Sequence, residues 1–364
     1  MGKADRIVQE DASGSEAATW ARWRSVANLY HAFFTGLILT VVVRRGIPAA
    51  EEFVFRVFRR QQQERFIASL EKLGLSGLPP AVAAAQYHYF SNWIGGVSVE
   101  YMYESDRKAW IRYPPPRWIW QGTAICGIPM EVSRAMLRGW HANNGVALGN
   151  LKVGFVCTKQ TVDGQAGLEG YYHEADHELS VDERLVFARH LEAPPFDPAK
   201  LPALPVDAWP KRRLEKAYRS YAQEYVKTAA PVMVQLFGPE DAAHLLHRTG
   251  KLIGMQFFHE TAAAFQAETV KPYTAAEFAS FLATVLEAQD DKATITEQGG
   301  AQVVSQQGWR LMADATEYHP ACAAVLAGLF SGLAEASNPH LRLSLAPAAD
   351  IGAAAAFVWM IHGR

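Results

Sequence analysis

Laid over itself at an offset of 192 positions, the chain keeps one register without a gap for about ninety residues, which is the signature of a module written twice. Gly238 falls on Gly46, Arg248 on Arg56, Phe258 on Phe66 and Pro272 on Pro80. Apolar positions follow the same offset: Leu245 on Phe53, Leu246 on Val54, Phe281 on Tyr89, Leu282 on Phe90, Leu286 on Ile94, Val303 on Ile111 and Leu311 on Ile119. At 364 residues, half the chain is long enough to bury a core of its own. Two similar lobes are therefore expected.

The boundaries read as a disordered lead over 1–15, a first module over 16–180, a helix and proline-rich linker over 181–210, and a second module over 211–364. In the first module, a helix from about Ser15 to Arg44 is stopped by Gly46 and Pro48, and a second runs to Leu73. A third helix from Pro80 to Trp93 precedes a hairpin around Glu104-Ser105-Asp106-Arg107. A fourth, from Pro129 to about Asn143, leads to a second hairpin around Asp163-Gly164. The second module repeats this order, with helices over Lys211–Phe237, up to about Ala267 and over Thr274–Ala288, and a hairpin about Gly299-Gly300. Another helix starts at Pro320, and the closing strands bracket Asp350-Ile351-Gly352. Ser180-Val181-Asp182-Glu183 has the form of a capping box and predicts a helix over Val181–Glu192. The fold class is α+β: two lobes, each with helices on a small antiparallel sheet, related by pseudo-twofold symmetry.

A net charge of −2 gives no basic face on which nucleic acid would release its counterions, and Arg56, Arg59, Arg60 and Arg65 read as one solvated helix face. The longest apolar run, Phe33–Val43, is short of the roughly 20 residues that span a bilayer, so no membrane span is expected. Three distant cysteines, Cys126, Cys157 and Cys322, suit a reducing cytoplasmic setting better than a disulfide framework. Self-association into a homo-oligomer stays open.

His173-Glu174-Ala175-Asp176-His177 matches HExxH, which on a helix sets two histidines one turn apart on zinc with a glutamate as base. Here it follows a strand and precedes Ser180, with no long helix to hold it, so a polar loop competes with a metal or acid/base site. His244 and His247, with His259 and Glu260, are a second ligand-type cluster, matched against surface or core histidines. Metal and cofactor are left open, and no motif requires a cofactor.

The two copies also differ. Trp140 and His141 fall on Gly332 and Leu333, and the run Thr158–Gln165 is far more polar than Ala346–Asp350. Trp93, Trp110, Trp118, Trp120 and Trp140, with Tyr171 and Tyr172, could wall a planar ligand or pack a core. Cys157 is a nucleophile only if its pKa is depressed, and otherwise an inert buried thiol.

The order helix, Gly-Pro break, helix, hairpin, helix, hairpin resembles the ligand-binding module of 4-vinyl-reductase-type domains and the aminothiazoline carboxylate hydrolase group. Phe237-Gly238-Pro239-Glu240-Asp241-Ala242-Ala243, Arg248–Gly254 and the closing strand to Ile361 carry the likeness. Those groups tend to have a cysteine in the last hairpin, whereas the corresponding stretches here, Gly167–Tyr171 and Ala355–Trp359, have none. The resemblance implies a hydrolase acting on a small cyclic or planar C–N bonded substrate. His173, Glu174, His177 or Glu169 would then activate water, with Cys157 as a further candidate. Lys159 or Asn143 would polarise the substrate, and Trp110, Trp118, Trp140, His141 and Tyr171 would bind it. It also implies an alternative, a non-enzymatic module that binds or senses an aromatic ligand or tetrapyrrole. A metal-dependent oxidoreductase built on the histidine clusters is the weaker third reading.

Overall fold

A computed structural model describes residues 14–115, 119, 121–204, 209–313, 315, 318–346 and 357–363. Trp118, Trp120, the turn at Asp350-Ile351-Gly352 and nearly all of the expected lead lie outside the described residues. The molecule is α+β with two sheets.

Helix α1 (Gly14–Arg45) ends at Gly46, and α2 (Ile47–Leu70) begins there. Helix α3 (Pro80–Ile94) leads into strands β1 (Glu100–Ser105) and β2 (Lys108–Tyr113). Helix α4 (Met130–Gly139) and the single turn α5 (Asn144–Ala147) precede β3 (Val153–Lys159), β4 (Leu168–Glu174) and β5 (Leu185–Phe187). The chain continues through α6 (Lys211–Phe237), α7 (Pro239–Ala264), α8 (Ala275–Ala288), β6 (Lys292–Gln298) and β7 (Ala301–Gln307). Helix α9 (Ala324–Ser337), β8 (Arg342–Ala346) and β9 (Phe357–His362) complete it.

Gly46 and Gly238 show why the breaks recur. Their φ,ψ values of 86°,170° and 79°,163° lie in a region that is essentially closed to residues with a Cβ. Proline follows in the first turn of α2 and α7, where its missing N–H costs nothing. Thr274 caps α8 as a complete capping box with Glu277.

The strands order as β1-β2-β4-β3-β5 in one sheet and β6-β7-β9-β8 in the other. All pairs are antiparallel except β3 with β5. That exception corrects the expected helix over Val181–Glu192. The Glu183 carboxylate does accept from the Ser180 N–H at 2.9 Å, one half of a capping box, but the Ser180 hydroxyl donates to the same carboxylate at 2.7 Å and the Glu183 N–H goes to the Ser180 carbonyl. Only a turn follows, because Leu185-Val186-Phe187 are strand-forming residues that hydrogen-bond along β3. The Phe155 N–H to Arg184 carbonyl bond and the Ala188 N–H to Cys157 carbonyl bond extend that pairing at both ends. The expected fourth helix of the first module also stops early, at Gly139, with a 3₁₀ turn over His141–Asn143.

Two compact units emerge. One is Val41–Ser220, and the other is Tyr221–Arg364 together with α1 up to Thr40. Most of α1 thus leaves the module that follows it in sequence, unlike the continuous boundary 16–180. It is held in the second unit by Tyr30 to Gln289, Thr249 to Thr40 at 2.9 Å, and Gly36 against Ile253 and Thr249. Ala17–Arg45 and Pro320–Ser337 are long and apolar enough to cross a bilayer, but more than half of each is buried within the chain, as a core helix would be.

Helices α7 and α9 pack backbone to backbone in the second unit. A Cβ on Gly254 would meet the Leu329 carbonyl oxygen at 2.2 Å, and one on Gly332 would meet that of Lys251 at 2.1 Å. Gly250 and Gly328 make the same approach one turn earlier. In the first unit, Gln62 and Trp140 occupy the positions 192 residues before Gly254 and Gly332. There Gln62 reaches the Asn143 carbonyl at 3.2 Å, and Trp140 stacks on Tyr87 at 6.0 Å. Helices α2 and α4 of the first unit also come close, since a Cβ on Gly139 would meet the Phe55 carbonyl oxygen at 2.7 Å.

Candidate functional site

Strand β4 carries His173 and Glu174. Neighbouring residues on a strand point to opposite faces, so the two side chains cannot converge as they would on a helix. Glu174 ends the strand, its N–H donating to the Arg107 carbonyl and its carbonyl accepting from the Arg107 guanidinium, each at 2.8 Å, and His177 is exposed in the following bend, 3.4 Å from Glu183. Among the described residues no three His, Cys, Asp or Glu side chains form a metal-binding group, which includes His244, His247, His259 and Glu260. Burial, helped by the charges of Lys108 and Arg107, lowers the pKa of His173, so its imidazole is neutral at pH 7.

His173, Tyr171 and Glu169 share one face of β4, opposite Lys108, Trp110 and Arg112 of β2. The Lys108 ammonium lies 4.4 Å from the Tyr171 ring centre and 5.0 Å from that of Trp110. Trp110 donates its indole N–H to Glu104 at 2.7 Å. Burial alone would raise the Glu104 pKa, but that bond and Lys108 outweigh it and lower it. Fully buried Glu169 accepts from the Thr158 hydroxyl at 2.8 Å and pairs with Arg112 and Lys159, each at 3.4 Å. Arg112 also pairs with Glu100 at 2.5 Å, and Lys159 with Glu192. The Glu192 bond is the main cause that raises the Lys159 pKa. Glu169 and Lys159 therefore do come together, inside a chain of ion pairs that occupies both carboxylate oxygens.

Cys157 is buried, and burial, reinforced by the Asp163 charge, pushes its thiol up to about 12. A thiol with that pKa is not a thiolate nucleophile at neutral pH. Asn143 caps the end of α4, donating to the Arg138 carbonyl at 2.7 Å and the Gly139 carbonyl at 3.4 Å, so its amide is spent on the fold.

The opposite face of β4 holds a buried polar network, of which the sequence reading marked His141 and Tyr172. His88, from α3, lies flat against His141 at 4.2 Å and 13°, and Tyr172 continues the stack at 6.1 Å and 5° from His141. Asn144 donates its amide N–H to Tyr172 Oη at 2.9 Å and lies 3.1 Å from His88 Nε2. His88 Nε2 is then the acceptor, which assigns the ring proton to Nδ1, 3.1 Å from Tyr113 Oη. Burial lowers His88 to about 3 and drives Tyr172 well above its ordinary value, so both stay neutral. The legible signals were a histidine within the apolar helix Ala81–Phe90 and Gln61-Gln62 on the buried side of α2.

The second unit has an open groove of about 440 Å³ beside α8. Phe265, Tyr273 and Phe281 form its wall, and Glu268, Lys271 and Ser280 contribute to its rim. The wall is held rigidly: Phe265 and Tyr273 lie 5.9 and 6.1 Å from Phe281, and the Tyr273 backbone is tied to Ser337 and Asn338. Tyr273 is 5 % exposed, and its buried hydroxyl has no hydrogen-bond partner among the described residues. Burial, with the charges of Glu277 and Glu268, raises its pKa. Lys271 pairs with Glu277 at 3.0 Å, whereas Glu268 makes no ion pair among the described residues. Glu277 is lowered to about 2, first by the Thr274 N–H and then by Lys271. The sequence reading missed the groove, because its wall comes from three segments that meet only in the fold.

No protein-family model, no curated protein and no solved structure matches this chain.

Proposed function

We propose that this chain is a small-molecule-binding protein that takes a planar, positively charged aromatic ligand in the groove of the second unit. The observation that carries the reading is a concave site of ligand-pocket size with an aromatic wall, a buried hydroxyl and a rim carboxylate, Glu268, neither of which has a partner among the described residues. The aromatic rings supply stacking area. Glu268 favours an ammonium group, since Glu277 is already matched by Lys271.

Hydrolysis is less well supported, because His173, Glu174 and His177 do not converge and Glu169 is engaged on both oxygens. A tandem duplication belongs to the same proposal. It is supported by the matched glycine breaks, the shared strand order β1-β2-β4-β3 and β6-β7-β9-β8, and the start of α7 192 residues after that of α2.

Calorimetric titration with 1-naphthylmethylamine, 1-naphthoate and cyclohexylmethylamine tests the binding reading. The naphthyl amine is expected to bind saturably, the other two at least about tenfold more weakly, and Phe281→Ala and Glu268→Gln each to weaken it by a similar factor. Equal binding of all three probes, or indifference to both substitutions, would overturn the proposal.

A further inference from the structure

Strand β6 is an edge of the second sheet, paired with β7 on one side over all seven of its residues without a bulge. The N–H and C=O groups on its other side make no backbone bond to any described residue. Unpaired strand edges recruit further strands unless something defends them. In the first sheet, β1 has an irregularity between Tyr103 and Ser105 and carries Glu100 and Glu104, and the far side of β3 is taken by β5. Strand β6 has no such irregularity, and its two charges, Lys292 and Glu297, sit at and near its ends. Residues Ala293–Thr296 are uncharged and free of proline, the strand is exposed on both faces from Thr294 onward, and Ile295 is 41 % exposed.

We propose that β6 is a self-association edge, pairing antiparallel with β6 of a second copy of this chain and joining the two four-stranded sheets into one of eight. A twofold axis perpendicular to the sheet keeps facing side chains on one side, so only residues of the same parity can oppose each other. Centring the axis on Ile295 uses the whole strand. Ile295 then faces Ile295 of the partner subunit, Thr294 faces Thr296, Ala293 faces Glu297 and Lys292 faces Gln298. No like charges oppose each other, and the centre is a β-branched pair flanked by threonine pairs, which favour strand pairing. Centring on Thr294 or Thr296 leaves two residues unpaired. This self-complementarity is what selects a second copy as the occupant.

Sedimentation velocity of the full chain over a concentration series tests the idea. A dimer is expected, and Ile295→Lys, which sets two ammonium groups face to face, is expected to raise its dissociation constant on the order of tenfold or more with an unchanged circular dichroism spectrum. Register is read separately by oxidative crosslinking in a Cys126→Ser background, since Cys126 is the exposed native thiol. Ile295→Cys is expected to yield a covalent dimer and Thr294→Cys a far smaller fraction. A wild-type monomer at every concentration, a dimer indifferent to Ile295→Lys, or preferential crosslinking through Thr294→Cys would each overturn the proposal.

Discussion

The Tyr273 hydroxyl is buried without a hydrogen-bond partner among the described residues, a state that costs about 1 to 3 kcal/mol. Tyr273→Phe removes the orphan group, so the free protein should hold its stability or gain up to about 1 kcal/mol while losing affinity for the naphthyl amine. Urea titration with and without ligand separates the two effects; a loss of stability in the free protein would show that the hydroxyl is satisfied. Asn144 is the opposite case, since its amide serves both His88 and Tyr172. Asn144→Ala should cost roughly 2 to 4 kcal/mol in urea unfolding, and His173→Ala much less. The same scale sets the pH response. His31 and His88 are lowered by burial to about 3, so below about 6.5 the unfolded chain binds protons that the folded chain refuses, and stability falls on acidification. Asp291 acts the other way. Burial raises it to about 6, although the Arg310 N–H and Gln306 oppose the shift, so it adds stability as the pH falls from about 6 toward its unfolded value near 4. Two histidines against one aspartate leave a net loss of stability between pH values of about 6 and 4. Unfolding curves across that window check the sign, and a gain on acidification would contradict it.

At the scale of elements, the α7–α9 pair makes the sharpest demand on sequence. Each glycine contact there is with backbone, which cannot move aside, so Gly254→Ala or Gly332→Ala should cost about 3 kcal/mol or more. Gly36 is the internal control. Its nearest neighbours are side chains, Ile253 at 3.2 Å and Thr249 at 3.4 Å, and alanine favours a helix, so Gly36→Ala should be close to neutral. Thermal melts of the three variants test that ordering. Local chemistry made several elements readable: Gly46 and Gly238 occupy backbone regions reserved for glycine, and Asp163-Gly164 turns the chain with Gly164 at a φ of 78°. Where a local signal competed with a tertiary one, the tertiary one won. Ser180 and Glu183 form one half of their capping box, yet pairing with β3 turns Leu185–Phe187 into a strand.

For the whole molecule, an offset of 192 was legible in sequence, and α7 starts 192 residues after α2. The grouping of α1 with Tyr221–Arg364 was not, because it depends on contacts more than two hundred positions apart, such as Thr249 with Thr40. The polar and aromatic surplus of the first half pointed to a site there. In the fold, Trp140 packs on Tyr87, Asn143 caps a helix, and Glu169 and Lys159 form an ion-pair chain. The groove lies in the other half, assembled from Phe265, Tyr273 and Phe281, none of which carries a motif. A crystal of the full chain soaked with 1-naphthylmethylamine tests this placement most directly. The expected result is the naphthyl ring against Phe265 and Phe281 with its ammonium at Glu268; a ring bound instead at Trp110 and Tyr171, or at Trp140 and His141, would contradict it.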